Sequence, residues 1–170
     1  SDIGRTIETT IKQLGFKPIA NLSGHSLDQY TIHAGRSIPN IWSIGGFSLS
    51  DNSAYACEPF VTTKEAGGFV RNGQIKNIFA INSRKKTKNE EADRLLDFIW
   101  KNFNMLPFAL RWITKEWDEK KARELLDILV KKKAVQAYPV LIEVNEQRVA
   151  QAEHTFIPNE TGVTVTTRAP

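Results

Sequence analysis

The chain contains three histidines, His25, His33 and His154. None falls in a stretch with helical apolar spacing, and each stands in an extended segment beside a glycine or a carboxylate. His25 follows Gly24, and His33 precedes Ala34 and Gly35. Glycine there lets the backbone approach a ligand closely. Two carboxylates stand out with them. Glu58 sits inside an apolar stretch (YACEPFV), where a carboxylate is costly to bury unless a metal or a donor compensates it. The plainer reading of Glu58 is an edge-strand residue facing solvent. Glu153 sits in VAQAEHTFI. Strand alternation puts Gln151, Glu153 and Thr155 on one face, and Ala152, His154 and Phe156 on the other. A polar face within an apolar strand suits a site lined by a sheet.

His25, Glu58 and Glu153 together give one imidazole and two carboxylates. An oxygen-rich set with one nitrogen suits Mn, Fe, Co or Zn. It does not suit a structural zinc site, which takes Cys or more His. Three ligands can hold one metal; a two-metal site needs further bridging carboxylates. Asp28 and Asp51 lie in polar loop segments and read as surface residues. Either the site is mononuclear or some ligands lie outside this chain. Nucleophilic catalysis has less support. Alternation turns the Cys57 thiol away from Glu58, and the chain has neither a G-x-S-x-G elbow nor a phosphate-binding glycine loop.

These residues need elements to hold them. Ile3, Ile7, Ile11 and Leu14 mark a helix over residues 2–14, with Asp2 as N-cap and Gly15 as stop. FKPIANLSG and YTIHAG read as short extended pieces, and residues 36–53 as mostly loop. YACEPFVTT and QIKNIFAI read as strands, with KEAGGFVRNG as turn material between them. Leu95, Leu96, Ile99 and Phe103 line a helix over 90–103, and the NFNMLPFALRW stretch breaks it at Pro107. Ala122, Leu125, Leu126 and Leu129 line another over 118–132, read as a core stripe. YPVLIEV and QRVAQAEHTFI read as strands joined at Asn145 and Glu146, and GVTVTT as a last short strand. The order predicts an α+β arrangement with an antiparallel sheet.

Composition sets outer limits. With 170 residues, 41% hydrophobic and 25% charged, the chain fits one ordinary domain. Its single cysteine excludes an internal disulfide framework and suits a reducing compartment. No apolar run approaches the ~20 residues of a membrane span. The opening SDIGRTIETTIKQLG has no apolar signal core, so a cytoplasmic protein is expected. The net charge is +4, and without Arg84, Lys85, Lys86 and Lys88 the basic and acidic counts are equal. That run reads as a solvated loop leading into a helix, and Lys131–Lys133 as a helix end complementing its dipole. No specific nucleic-acid partner is expected.

The segments NLSGHSLDQYTIHAG, ACEPF, LPFALRW, AYPVLIE and VAQAEHTFI, in this order and spacing, resemble the methionine aminopeptidases, of type 2 and the compact archaeal form. The likeness runs along essentially the whole chain. It implies a pita-bread fold, of which residues 1–89 and 138–170 form the C-terminal half and residues 90–137 a helical insertion. It also implies a site with two divalent metals (Co, Mn, Fe or Zn) that removes N-terminal methionine from new proteins. By the resemblance, His25, Glu58 and Glu153 are metal ligands and Glu58 is also the proton shuttle. His33 contacts the scissile peptide. Ile32, Phe60 and Tyr138 lie around the pocket for the methionine side chain. Two departures stand out. Ala152 replaces a usual aromatic residue, and the N-terminal half, with two Asp ligands and a further histidine, is missing. The implied partners are that N-terminal half and nascent polypeptide N-termini at the ribosome. The isolated chain is expected to be inactive. A start at Ser1 fits a split gene, proteolysis or a cloned fragment alike, and loss of an initiator Met ahead of Ser1 would fit the first. The rival expectations are a non-catalytic homologue acting as a binding module, associated with the ribosome or chromatin, and a proline-specific peptidase.

Overall fold

A computed structural model describes residues 2–168. The chain forms two compact units, one from residues up to Arg71 with those from Leu141 onward, the other Asn72–Val140.

The first unit opens with α1 (Asp2–Gln13). Asp2, the expected N-cap, is instead in the helix, and Ser1 before it lies outside the described residues. The chain turns out of α1 at Gly15 (φ +82°), so Leu14 is 70% exposed rather than inward-facing. β1 (Lys17–Pro18), β2 (Ser23–Leu27), β3 (Ser37–Pro39), β4 (Ala54–Cys57) and β5 (Phe60–Thr62) come next. β6 (Val70–Ile81) then crosses into the second unit and β8 (Val135–Glu143) returns. β9 (Val149–Gln151), β10 (His154–Asn159) and β11 (Gly162–Val165) complete the first unit. Its larger sheet has the order β11-β10-β4-β2-β3 and its smaller one β1-β5-β9, both antiparallel.

Both strands expected to carry carboxylates are interrupted. YACEPFVTT splits into β4 and β5 at Glu58-Pro59, because proline has no N–H for the ladder. QRVAQAEHTFI splits into β9 and β10 at Ala152-Glu153. β4 pairs with β10 in one sheet and β5 with β9 in the other, so the two breaks face each other. The Ala152 N–H donates to the Pro59 carbonyl at 3.2 Å across them.

At the end of β8, Glu143 is buried at 2% exposure. It accepts from the N–H groups of Gly68 (3.0 Å), Asn145 (2.7 Å) and Gln147 (3.2 Å). Gly68 has φ +79°, a conformation glycine adopts without strain. Burial pushes the Glu143 carboxyl up. The backbone donors, including Gly67, outweigh it and leave the carboxyl below its ordinary value.

The second unit holds α2 (Glu90–Phe103), β7 (Phe108–Ala109), the one-turn α3 (Leu110–Ile113), which sequence spacing did not predict, and α4 (Glu119–Lys131). β7 joins β6 and β8 in a three-stranded sheet. Asn89 caps α2 by accepting from the Ala92 N–H at 2.9 Å, and Asp118 caps α4 through Lys121 at 3.2 Å. The expected stripes of both helices are buried apart from Phe103, which packs half-buried against their core. One contiguous core joins them to Phe79, Phe108, Ile113 and Val135. Among the described residues no helix is long and apolar enough to cross a membrane.

Candidate functional site

The site grows from the pairing of β2 with β4. His25 lies opposite Ala56, and Glu58 comes just past the end of β4. Gly24, one residue before His25, passes so close to β4 that a Cβ on it would meet the Ala56 carbonyl oxygen at 2.2 Å. That closeness brings His25 Nε2 to 3.0 Å from Glu58 Oε1, with both side chains 13% exposed. Asn40, fully buried, donates from Nδ2 to the Glu58 carbonyl at 3.2 Å. Gln151 donates from Nε2 to Glu58 Oε2 at 3.0 Å. Backbone and carboxylate of Glu58 are thus both fixed.

Burial pushes the Glu58 carboxyl up, the Glu153 charge adds to this, and Gln151 opposes it; the result is about 7. Glu153 is exposed, in the break between β9 and β10, and its charge is felt at Glu58. Neither carboxylate pairs with Lys or Arg among the described residues.

His33 stands across the His25 ring, with centroids 4.4 Å apart and planes at 70°. The loop carrying it is tied back to β2. Ala34 N–H donates to the Ser26 carbonyl at 2.9 Å, and Arg36 N–H to Ser26 Oγ at 3.1 Å. Desolvation first, and the charge of His25 second, hold the His33 imidazole below its ordinary value. His25 and His33 line a cavity of about 330 Å³ with Asn21, Leu22, Ser23 and Arg36. A larger hollow, about 690 Å³, lies by the start of α1 and the 43–49 loop, and among the described residues Asp2 is the one ionisable side chain lining it.

The other expected residues spread more widely. Phe60 is half-buried in β5, opposite Gln151. Ile32 is half-buried in the loop before His33. Tyr138 belongs to the second unit; its hydroxyl accepts from Gln136, and burial raises its pKa. Burial and then the Glu58 charge raise the pKa of the Cys57 thiol, which disfavours the thiolate. Among the described residues no three His, Cys, Asp or Glu side chains stand close enough to form a ready-made metal cage. Sequence reasoning missed Asn40 and Gln151 as site residues. Gln151 was signalled by sharing a polar face with Glu153; nothing in its loop signalled Asn40.

Compared with solved structures, the architecture is that of the pita-bread fold. It matches a thermophilic Arx1 with a TM-score of 0.80 at 18% identity, over 96% of this chain and 44% of that one. It matches the methionine aminopeptidase of Thermotoga maritima with a TM-score of 0.54 at 16% identity, over 99% of this chain and 42% of that one. No family model matches the chain. Sequence comparison is more specific. The chain is 40% identical to a methionine aminopeptidase of Saccharolobus solfataricus over 171 residues, covering 99% of the chain and 56% of the relative. It is 37% identical to that of Methanocaldococcus jannaschii over 167 residues, covering 98% and 55%. The chain is a relative of the methionine aminopeptidases and corresponds to their C-terminal part. It spans about half the length of the curated relatives it matches.

Proposed function

We propose that this chain supplies one side of a divalent-metal site that removes N-terminal methionine. His25, Glu58 and Glu153 are its ligands, and the missing part of the enzyme supplies two further Asp. The observation that carries this reading is the immobilised Glu58, paired with His25 and crowded by Glu153. The donors fit a cation. Two carboxylates with no Lys or Arg partner among the described residues repel each other, and divalent charge would relieve them and keep Glu58 ionised. When bound, such ions supply positive charge that acidifies water and polarises a carbonyl.

The chain's own residues carry the rest. Glu58 takes a proton from the attacking water and passes it to the leaving amine, as a fixed general acid/base. His33 donates to the oxyanion that develops at the scissile carbonyl. Ile32 and Phe60 line the methionine pocket. The helical stretch 90–137 is a subdomain inserted into the catalytic fold. The whole acts in the cytoplasm on nascent chains.

The test is methionine release from Met-Ala-Ser by this chain alone and after mixing with a polypeptide carrying the missing half, with metal titrated. Activity is expected only in the mixture, with two divalent ions bound. Glu58→Gln should lower its kcat by about 10²–10⁴-fold. Full turnover by the isolated chain would sink the half-site reading, and no bound metal in the mixture would favour a binding module. Preference for Xaa-Pro over Met-Ala peptides would instead assign a proline-specific enzyme.

A further inference from the structure

Asn40 is fully buried, yet only one end of its amide has a partner. Nδ2 donates to the Glu58 carbonyl at 3.2 Å. Oδ1 is the one buried side-chain oxygen or nitrogen among the described residues that has no partner. A buried acceptor without a donor costs at least as much as one ordinary hydrogen bond contributes. Asn40 therefore adds little to stability, and a leucine of similar shape would fill its space without that cost. Its value lies in where its one bond holds Glu58.

That bond supplies what the sheet does not. β4 pairs with β2 as far as Ala56 opposite His25, and Glu58 lies two residues past that pair. β3 runs along the other side of β2, with Pro39 opposite Ser23. Asn40 follows Pro39, so it stands at the same end of β2 as Glu58. Its amide reaches the carbonyl that lies beyond the ladder. Asn40 is in turn held by α1. A Cβ on Gly4 would meet the Ile41 carbonyl oxygen at 2.3 Å and that of Pro39 at 2.9 Å. One turn further on, Glu8 Oε2 accepts from the Trp42 N–H at 2.8 Å. Gly4 and Glu8 share a helix face, and the backbone on both sides of Asn40 is fastened to it.

We propose that Asn40 is a positioning residue for the reaction: it fixes where the Glu58 carboxylate stands beside His25, and α1 fixes Asn40. This rests on the role proposed above for Glu58 as ligand and proton shuttle. Glu58 sits at the break between β4 and β5, where backbone rotation would swing its carboxylate away from His25 Nε2, 3.0 Å off. An anchored carbonyl removes that rotation. Gln151 cannot replace the anchor, because it is exposed and holds only the carboxylate itself.

The test compares Asn40→Leu with the unsubstituted chain. In the metal-free chain alone, the imidazole 15N signals of His25, recorded at one pH, should move. The thermal midpoint should stay within about 4 °C. In the mixture with the missing half, cobalt should bind about 10–100-fold more weakly, and kcat on Met-Ala-Ser should fall by a similar factor. KM should stay within about twofold, since the loss is in the reacting groups. Gly4→Ala pushes the same backbone from the α1 side and should move the same signals; it carries the test should Asn40→Leu fail to fold. Ile99→Ala loses stability in the helical unit and should leave the His25 signals and the cobalt affinity in place. Unmoved His25 signals overturn the proposal. So do an equal movement in Ile99→Ala, or a rise in KM with kcat unchanged. If no mixture releases methionine, the catalytic reading fails, and the His25 signals of the free chain still decide whether Asn40 sets Glu58.

Discussion

The helical unit and the site-bearing unit bury their apolar residues differently. The helical unit owns the contiguous core of fifteen residues, and Leu95, Ile99, Ile113, Leu126 and Leu129 within it are fully buried. The longer site-bearing unit has only Ile11, Ile19, Ile38, Tyr55, Ala56 and Ala66 as buried hydrophobics among the described residues. It leaves Leu14, Ile44 and Val163 exposed at 70%, 90% and 58%. Order at the candidate site therefore comes less from packing than from hydrogen bonds. Glu58 is held by Asn40 and Gln151, and Glu143 by a ring of backbone donors.

Matched core truncations test this contrast most severely. Ile99→Ala should cost about 3–4 kcal/mol, because fixed neighbours leave a cavity that cannot collapse. Ile38→Ala, almost equally buried, should cost about 2 kcal/mol, where a thinner core can relax. Urea unfolding of both variants checks this, and equal costs would break the contrast. A pH experiment sharpens the hydrogen-bond side. The folded Glu143 carboxyl lies below its ordinary 4.5, so its contribution to stability is present above that value. The contribution is lost as pH falls through the depressed folded value. Protection of the Gly68 and Asn145 amides from exchange should track that course, and Glu143→Gln should abolish it. A smaller effect belongs to the helix cap: Asn89→Ala should cost about 1 kcal/mol in a thermal melt. Smallest of all is Leu14→Ser, expected within about 0.5 kcal/mol because the side chain is already in water. A large loss there would mean that this surface is covered in solution.

The two regions also differ in how far their sequence can be read. α2 and α4 lie close to where period and caps put them, since Asn89, Asp118 and the Leu stripes are local signals. The four principal candidates His25, His33, Glu58 and Glu153 are visible by residue type, and the pita-bread fold by motif order. Their arrangement is harder to foresee. Alternation treats Glu58 and Glu153 as residues of continuous strands, but each sits where its backbone leaves one sheet for another. Pro59 marks the first break; the second, at Ala152-Glu153, comes from pairing with β5 and β4, which no local pattern records. Asn40 acts across eighteen positions of chain on a carbonyl, so nothing nearby betrays it.

Gly24 bears no chemistry, yet it has no room to change. Any side chain there would strike the Ala56 oxygen and push β2 away from β4, carrying His25 off Glu58. In a scan of every substitution along the chain, this position should therefore score as intolerant as the histidine beside it. A hydrogen atom, in effect, sets the gauge of the site.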